Sequence, residues 1–223
     1  MSSAPFSLNR LRRPFCSRTT SIAARPPPGG NEAGSWRTAG GSYDASVPDN
    51  NPITYTSVTT LTGLADFRVQ VDVNEVDDGG IWLRSSFNGG SISGVLLVTG
   101  GNNGNADTLY WHTVVNGAFS APTATSFLPG LQGSDISLTV DVIGDDYSAS
   151  IDGNPGATTT LTTNLFATGA AGLYDFSPIS GAASPRGQTF DNFSISTIAV
   201  PEPLTGAMLL SGLAGLIAIR RRT

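Results

Sequence analysis

Lysine is absent from the 223-residue chain, and cysteine and histidine occur once each. Cys16 has no second cysteine with which to form an intramolecular disulfide. His112 cannot assemble a zinc site without cysteine partners. Charge is scarce: Asp, Glu, Lys and Arg together make up 13% of residues, about half the usual quarter. That composition excludes a coiled coil, a helical bundle and a polybasic nucleic-acid binder. A mean hydropathy of +0.01 excludes a polytopic membrane protein. No Gly-x-Ser-x-Gly elbow occurs, and His112, the only possible base for a triad, lies in Tyr110-Trp111-His112-Thr113 and reads as a half-exposed strand residue. Gly100-Gly101-Asn102-Asn103-Gly104-Asn105 lacks the Lys-Ser/Thr ending of a phosphate loop and reads as a strand connection.

The arginines that are present are segregated. Five lie within residues 1–25 and three at 220–222. Residues 31–200 hold only Arg37, Arg68, Arg84 and Arg186 against sixteen of the seventeen acids. An acidic body without clustered cations cannot neutralise phosphates, so nucleic acid is excluded as a partner. Such a body suits an extracytoplasmic surface, including one that takes calcium.

Residues 1–34 read as a disordered Arg/Pro-rich tail. Arg10, Arg12, Arg13, Arg18 and Arg25 interrupt every apolar run, and Pro26-Pro27-Pro28-Gly29-Gly30 follows. Such a segment buries too little surface to offset its ordering entropy. Arg12-Arg13-Pro14-Phe15 resembles a twin-arginine export signal, but the apolar stretch that should follow is missing. A misassigned start codon would account for that.

Residues 35–198 read as strands throughout. Phe67–Asn74 alternates apolar and polar residues without error, and Ile136–Val142 does the same. Gly144-Asp145-Asp146 turns the chain into 147–151, and Asp152-Gly153 ends that strand. Further strands are expected at 81–84, 94–99, 109–115, 172–176 and 190–197, with 36–43 and 53–61 opening the domain. At least eight short strands with Gly, Asn and Asp turns predict an all-β fold, a two-sheet antiparallel jelly-roll sandwich. Phe67, Val69, Val71, Leu138, Val140 and Val142 are expected in its core. A domain of this size buries roughly two-thirds of its unfolded surface, enough for stability without disulfides.

Candidate binding residues follow from parity. With Ile81 and Leu83 in the core, Trp82 and Arg84 point outward, where an indole face could stack on a sugar. Tyr110 and His112 share one parity and Trp111 takes the other. The competing reading places these aromatics in the sandwich core. Calcium is the cofactor the composition favours, since hard cations want carboxylates and carbonyls on turns. Asp77-Asp78, Asp145-Asp146, Asp152 with Asn154, and Asp191-Asn192 supply them, although Asp and Asn also populate turns for local hydrogen-bonding reasons.

The last 24 residues change character. Val200-Pro201-Glu202-Pro203 is an extended breaker, 204–219 carries no charge, and Arg220-Arg221-Arg222 closes the run. Sixteen helical residues span about 24 Å, short of the roughly 30 Å of hydrocarbon, yet the flanking arginines favour a transmembrane helix whose side chains snorkel. The positive-inside tendency puts those arginines in the cytoplasm and the acidic body outside. The three parts in this order resemble the PEP-CTERM domain of bacterial exported proteins. The resemblance implies sorting by an exosortase, a membrane-embedded enzyme that recognises Pro201, Glu202 and Pro203, with Arg220, Arg221 and Arg222 as the retention signal. It implies a protein held at the membrane before processing, then placed on the cell surface or in an extracellular matrix of exopolysaccharide and biofilm.

The body resembles concanavalin A-like, LamG-like sandwiches. Gly34-Ser35-Trp36 with Gly40-Gly41-Ser42-Tyr43, Asp66-Phe67-Arg68-Val69 leading to Gly80-Ile81-Trp82-Leu83-Arg84, and Phe190-Asp191-Asn192-Phe193 carry the likeness. It implies Asp191 as a calcium ligand. Glucanases of this fold carry Glu-x-Asp-x-x-Glu on one strand; Glu75-Val76-Asp77-Asp78-Gly79-Gly80 matches the first two acids and has Gly at the third. The expectation is a non-enzymatic surface or matrix protein whose sandwich serves adhesion or glycan binding. The alternative is a glycoside-active enzyme of the same fold, which would show two carboxyls close together in a cleft.

Overall fold

The computed structural model describes residues 19–20, 30–47, 54–100, 107–176 and 188–198. They form fifteen strands and no helix. In chain order these are β1 (Thr19–Thr20), β2 (Ser35–Ala39), β3 (Ser42–Val47), β4 (Thr56–Ser57), β5 (Phe67–Asn74), β6 (Asp78–Asn88), β7 (Ser91–Gly100), β8 (Thr108–Val115), β9 (Ala118–Phe119), β10 (Thr123–Phe127), β11 (Ile136–Ile143), β12 (Asp146–Ile151), β13 (Asn154–Thr162), β14 (Ala170–Phe176) and β15 (Thr189–Thr197). An eight-stranded sheet runs β13-β12-β11-β5-β15-β3-β2, with β1 also on β15. A seven-stranded sheet runs β10-β8-β7-β6-β14-β4, with β9 on β8. Every pairing between strands is antiparallel, as the alternating patterns anticipated.

Register explains the core. Phe67, Val69 and Val71 of β5 stand opposite Val142, Val140 and Leu138 of β11, and all six are buried. On the other flank of β5, Val69 meets Ile195 and Val73 meets Phe190. Each apolar row therefore continues across strands, because a one-residue slip would send the whole set to solvent. The seven-stranded sheet answers with Ile81, Leu83, Val95, Leu97, Leu109, Trp111 and Leu173 on its inward face. Each such side chain contributes about 1.5–3 kcal/mol by burial.

Several elements differ from the alternation pattern. The expected strand 36–43 is a hairpin of β2 and β3, because Gly40 and Gly41 adopt φ of 63° and 98°, the two positive values a tight primed turn requires. The expected strand 53–61 shrinks, among its described residues, to β4 with bridge residues on either side, Tyr55 paired with Ala33 and Val58 N donating to Ala171 O. Strands β9, β10 and β13 lack apolar alternation and escape a period-2 search; β13 is a Thr-rich edge strand on β12. Within the expected tail, Thr19 and Thr20 pair with Ser196 and Ile195, and Ala33 is buried. Residues 1–18 and 21–29 of that tail and the sorting segment 199–223 lie outside the described residues.

One end of the sandwich holds a polar row. Thr99 and Asp175 flank Gly79 on the inward face, and Gln188 reaches into the space above that glycine, its Nε2–H donating to Asp175 Oδ1 at 3.4 Å. Among the described residues, Thr99 Oγ1 is the one buried side-chain polar atom without a hydrogen-bond partner. A buried unsatisfied hydroxyl costs about 1–3 kcal/mol. Thr99→Val removes it at nearly constant shape and should raise unfolding stability by about 1 kcal/mol in urea titrations; a loss of stability would show that the hydroxyl is satisfied in solution.

Candidate functional site

The outer face of the seven-stranded sheet carries a second apolar layer rather than the usual polar one. Trp82, Leu96, Val98, Tyr110 and Tyr174 alternate with the core residues and are themselves buried. Trp82 is the hub. Its ring lies 6.0 Å from Tyr55, 6.3 Å from Phe119 and 6.2 Å from Tyr174, all edge-on. Such pairs contribute about 0.5–1.5 kcal/mol beyond their burial. Phe87 stacks on Tyr55 at 5.9 Å with the planes 15° apart. A line of rings therefore runs from half-buried Phe87 through Tyr55 and Trp82 to Phe119, which is 39% exposed.

A β-bulge at Arg84 decides what faces out beyond Trp82. Arg84 has a φ of 42°, and the β6–β7 register shifts between Leu83 and Ser86. Simple alternation would send Arg84 outward with Trp82. The bulge turns Arg84 inward and puts Ser85 and Phe87 on the outer face. Gly169 makes room: a Cβ there would overlap the Arg84 carbonyl.

Below Phe87 opens a pocket of about 450 Å³, lined among others by Glu32, Tyr55, Ser57, Ser86, Phe87 and Asn88. Ser57 holds the Glu32 carboxylate twice, its backbone N–H donating to Oε2 at 3.1 Å and its hydroxyl donating to Oε1. Asn31 is anchored beside it by the hydroxyls of Tyr43 and Thr56. Ser85 Oγ donates to Ala170 O at 3.0 Å and so accepts from the Tyr55 hydroxyl, also at 3.0 Å. Burial pushes the Tyr55 phenol above its usual range, against hydrogen bonds from Ser85 and Ser57. Tyr55 is therefore a neutral donor at any physiological pH. The pocket offers an aromatic floor, hydroxyl and amide groups around it, and one carboxylate.

The residues singled out from sequence are dispersed. Trp82 has outward parity but no exposed ring, and its Nε1–H donates to Thr54 O at 3.3 Å. Arg84 is not on that face at all. It is 3% exposed, its Nε and Nη2 donate to Ala65 O at 3.0 and 2.7 Å, and its Nη1 donates to Phe166 O at 2.9 Å. Its guanidinium also lies 5.4 Å over the Tyr147 ring and 3.6 Å from Asp66 Oδ1. Tyr110 and His112 do share the outer face, ring centroids 5.3 Å apart, with Trp111 inside donating to Thr159 Oγ1 at 3.1 Å. His112 Nδ1 lies 2.8 Å from Ser120 O. A carbonyl only accepts, so Nδ1 carries the proton and Nε2 keeps a lone pair. Burial lowers the His112 pKa, against that hydrogen bond, and favours the neutral ring.

The acids named for calcium do not converge. Asp77 points inward at the sandwich end and accepts from Gln132 Nε2 at 3.1 Å. Asp78 opposes Phe176 on the outer face, where its charge helps hold the Tyr110 and Tyr174 phenols protonated. Asp191 lies on β15, accepting from the Asn192 N–H at 2.7 Å. Among the described residues no group of three or more His, Cys, Asp or Glu could hold a metal ion. In the Glu75-Val76-Asp77 segment Glu75 is exposed whereas Asp77 is buried. Sequence reasoning missed Glu32, Ser57 and Phe87, because Glu32 lay in the presumed tail and the bulge is invisible to alternation.

The outer face of the eight-stranded sheet differs. Its depression of about 230 Å³ is lined by Gln70, Asp72, Ser137, Thr139, Asp152 and Asn192 among others, with no aromatic ring. Ser137 Oγ and Asn192 Nδ2 each donate to Asp72 at 2.6 Å, so the polar groups there satisfy one another.

Solved structures share this fold. The carbohydrate-binding module CBM66 from Bacillus subtilis superposes with a TM-score of 0.57 at 17% identity, over 82% of this chain and 100% of that one. The exoplasmic/lumenal domain of VIP36, in a Ca2+/Man3GlcNAc-bound form, gives 0.54 at 10% identity, over 78% of this chain and 86% of that one. A toad ovary galectin complexed with N-acetylgalactose gives 0.45 at 9% identity, over 60% of this chain and 95% of that one. No protein-family model matches the sequence, and no curated protein matches it either.

Proposed function

We propose that the chain is a non-enzymatic, glycan-binding β-sandwich whose ligand sits in the Phe87 pocket on the outer face of the seven-stranded sheet. The observation that carries this reading is the combination of a half-buried phenyl ring, stacked on Tyr55, with Ser57, Ser86 and Asn88 around it and a single carboxylate. A sugar ring presents an apolar face of C–H groups and an equatorial belt of hydroxyls, and this pocket complements both. Retaining glycoside hydrolysis needs two carboxyls about 5 Å apart, and inverting hydrolysis two at roughly 6.5–9.5 Å. Among the described residues Glu32 is the one carboxylate lining the pocket, which favours binding over hydrolysis. That two of the fold relatives are, by name, a carbohydrate-binding module and a Man3GlcNAc-bound domain agrees with this reading.

The sorting segment completes the proposal. Pro201-Glu202-Pro203, the apolar run 204–219 and Arg220-Arg221-Arg222 would deliver the sandwich to an exosortase at the membrane and then to the cell surface or matrix, where exopolysaccharide is the partner at hand. Replacing Pro201, Glu202 and Pro203 together by alanine should leave membrane insertion intact and stop processing, read as retention of Arg220–Arg222 by mass spectrometry; normal processing of that variant would end the sorting assignment. For the binding site, a glycan array probed with the full chain should show specific spots, and Phe87→Ala should weaken them by about tenfold, the loss of one stacked ring. Equal signals from both proteins would move the site elsewhere, and an array without signal would remove the glycan reading.

A further inference from the structure

The charges around the pocket narrow the ligand class, on the premise that the Phe87 pocket is the glycan site. Among the described residues, Glu32 is the only charged side chain lining it. Its two oxygens each accept one hydrogen bond from Ser57, which fixes the carboxylate and leaves further lone pairs for a ligand. No described cation is available to an acidic sugar. Arg37 is paired with Asp44 at 3.1 Å, Arg68 with Asp141 at 2.6 Å, and Arg84 is buried under Tyr147 and Asp66. Arg68 and Asp141 also lie on the other sheet, so a uronate or sulfate in the pocket would meet a carboxylate and, among the described residues, no cation to offset it. Sixteen acids against four arginines over residues 31–200 add a negative field that draws cations toward the domain.

We infer that the pocket selects an amino-glycan, a polysaccharide bearing protonated primary amines, and rejects acidic polysaccharides. A ring stacked on Phe87 brings its substituents to the pocket wall. An ammonium there donates to Glu32 in a charge-assisted bond, about twice as strong as a neutral one. A hydroxyl at the same place makes only the neutral bond, and an N-acetyl group adds bulk without charge.

The test is calorimetric titration of the full chain with three soluble oligomers of equal length: a chito-oligosaccharide with every amine acetylated, the same backbone fully de-N-acetylated, and an oligogalacturonate. Below the amine pKa, the de-N-acetylated oligomer should bind about tenfold more tightly than the acetylated one, and the uronate should not bind. The preference should shrink as salt rises and as the amines deprotonate, since both weaken the ion pair. Glu32→Gln can keep two Ser57 contacts, its amide oxygen accepting from the Ser57 N–H and its NH2 donating to the Ser57 hydroxyl, and it should bring the two chito-oligosaccharides to equal affinity. Equal affinity of the unsubstituted chain for the two chito-oligosaccharides, or binding of the uronate, overturns this inference and leaves the glycan pocket standing. Binding to other array glycans with none of the three oligomers recognised overturns it as well. An array without any signal removes both.

Discussion

Arg84→Met should destabilise the sandwich by about 3–5 kcal/mol in urea unfolding, a large fraction of a domain's net stability. Methionine keeps the length of the side chain and loses what the guanidinium does. Two donors to Ala65 O and one to Phe166 O disappear, and both carbonyls then lack those partners. Asp66, whose Oδ1 also accepts from Gly144 N at 2.8 Å, loses its buried cation. Arg84 thus ties the entry of β5, the β11–β12 turn and the segment before β14 to one bulge. Arg84→Lys should recover only part of the loss, because an ammonium cannot reach three acceptors in the planar geometry of a guanidinium. A loss below about 1 kcal/mol for Arg84→Met would show that the clamp contributes little.

Asp175→Asn should change the pH dependence of stability more than any other single substitution. Burial pushes the Asp175 carboxyl up to about 8; the Ala45 N–H, donating at 3.2 Å, opposes this, and the charges of Asp44, Asp77 and Asp78 add to it. Its ordinary value is 3.8, so between about pH 4 and 8 the folded state holds a proton that the unfolded chain has released. Stability from this group is therefore full at the acid end of the window and falls as pH rises, by up to about 1.4 kcal/mol per pH unit. Asparagine carries no charge at any pH. The variant should gain on the wild type steadily from pH 5 to 8 in parallel urea titrations. Curves that stay parallel across that range would mean the carboxyl ionises freely in the folded protein.

What the sequence revealed and what it hid follow one physical division. The strands β5 and β11 were legible because each has one wet face and one dry face, and period-2 alternation is the direct imprint of that asymmetry. Strand β6 was legible only as far as Leu83. It is buried on both faces through Ser85, so hydrophobicity carries no parity, and a single added residue at the bulge reversed the assignment of Arg84. The reversal is recorded in the sequence only indirectly, as Gly94 on β7 and Gly169 before β14, whose missing side chains admit the distorted backbone. The pocket was less legible still. Ser57 sits on a strand of two residues with Tyr55 as an isolated bridge before it, and Glu32 meets Ser57 only because the chain preceding β2 folds back along β4. Short, non-alternating segments that close a site leave no periodic trace. Tyr110 and His112 were placed together correctly because an ordinary strand needs only parity, but their neighbour Phe119, 5.3 Å from His112, comes from a two-residue strand that no pattern marks.

The claim that a glycan occupies the outer face of the seven-stranded sheet is tested most directly by a hydrogen-exchange footprint of the full chain with and without the de-N-acetylated chito-oligosaccharide. Exchange slows where ligand covers backbone or damps local opening. The account predicts added protection at 55–62 and 85–88, around Glu32's partner Ser57 and the Phe87 ring, with 68–72 and 137–141 on the opposite sheet unchanged. Protection confined to the Asp72 depression, or no change at either face under conditions where the oligomer binds, would contradict it.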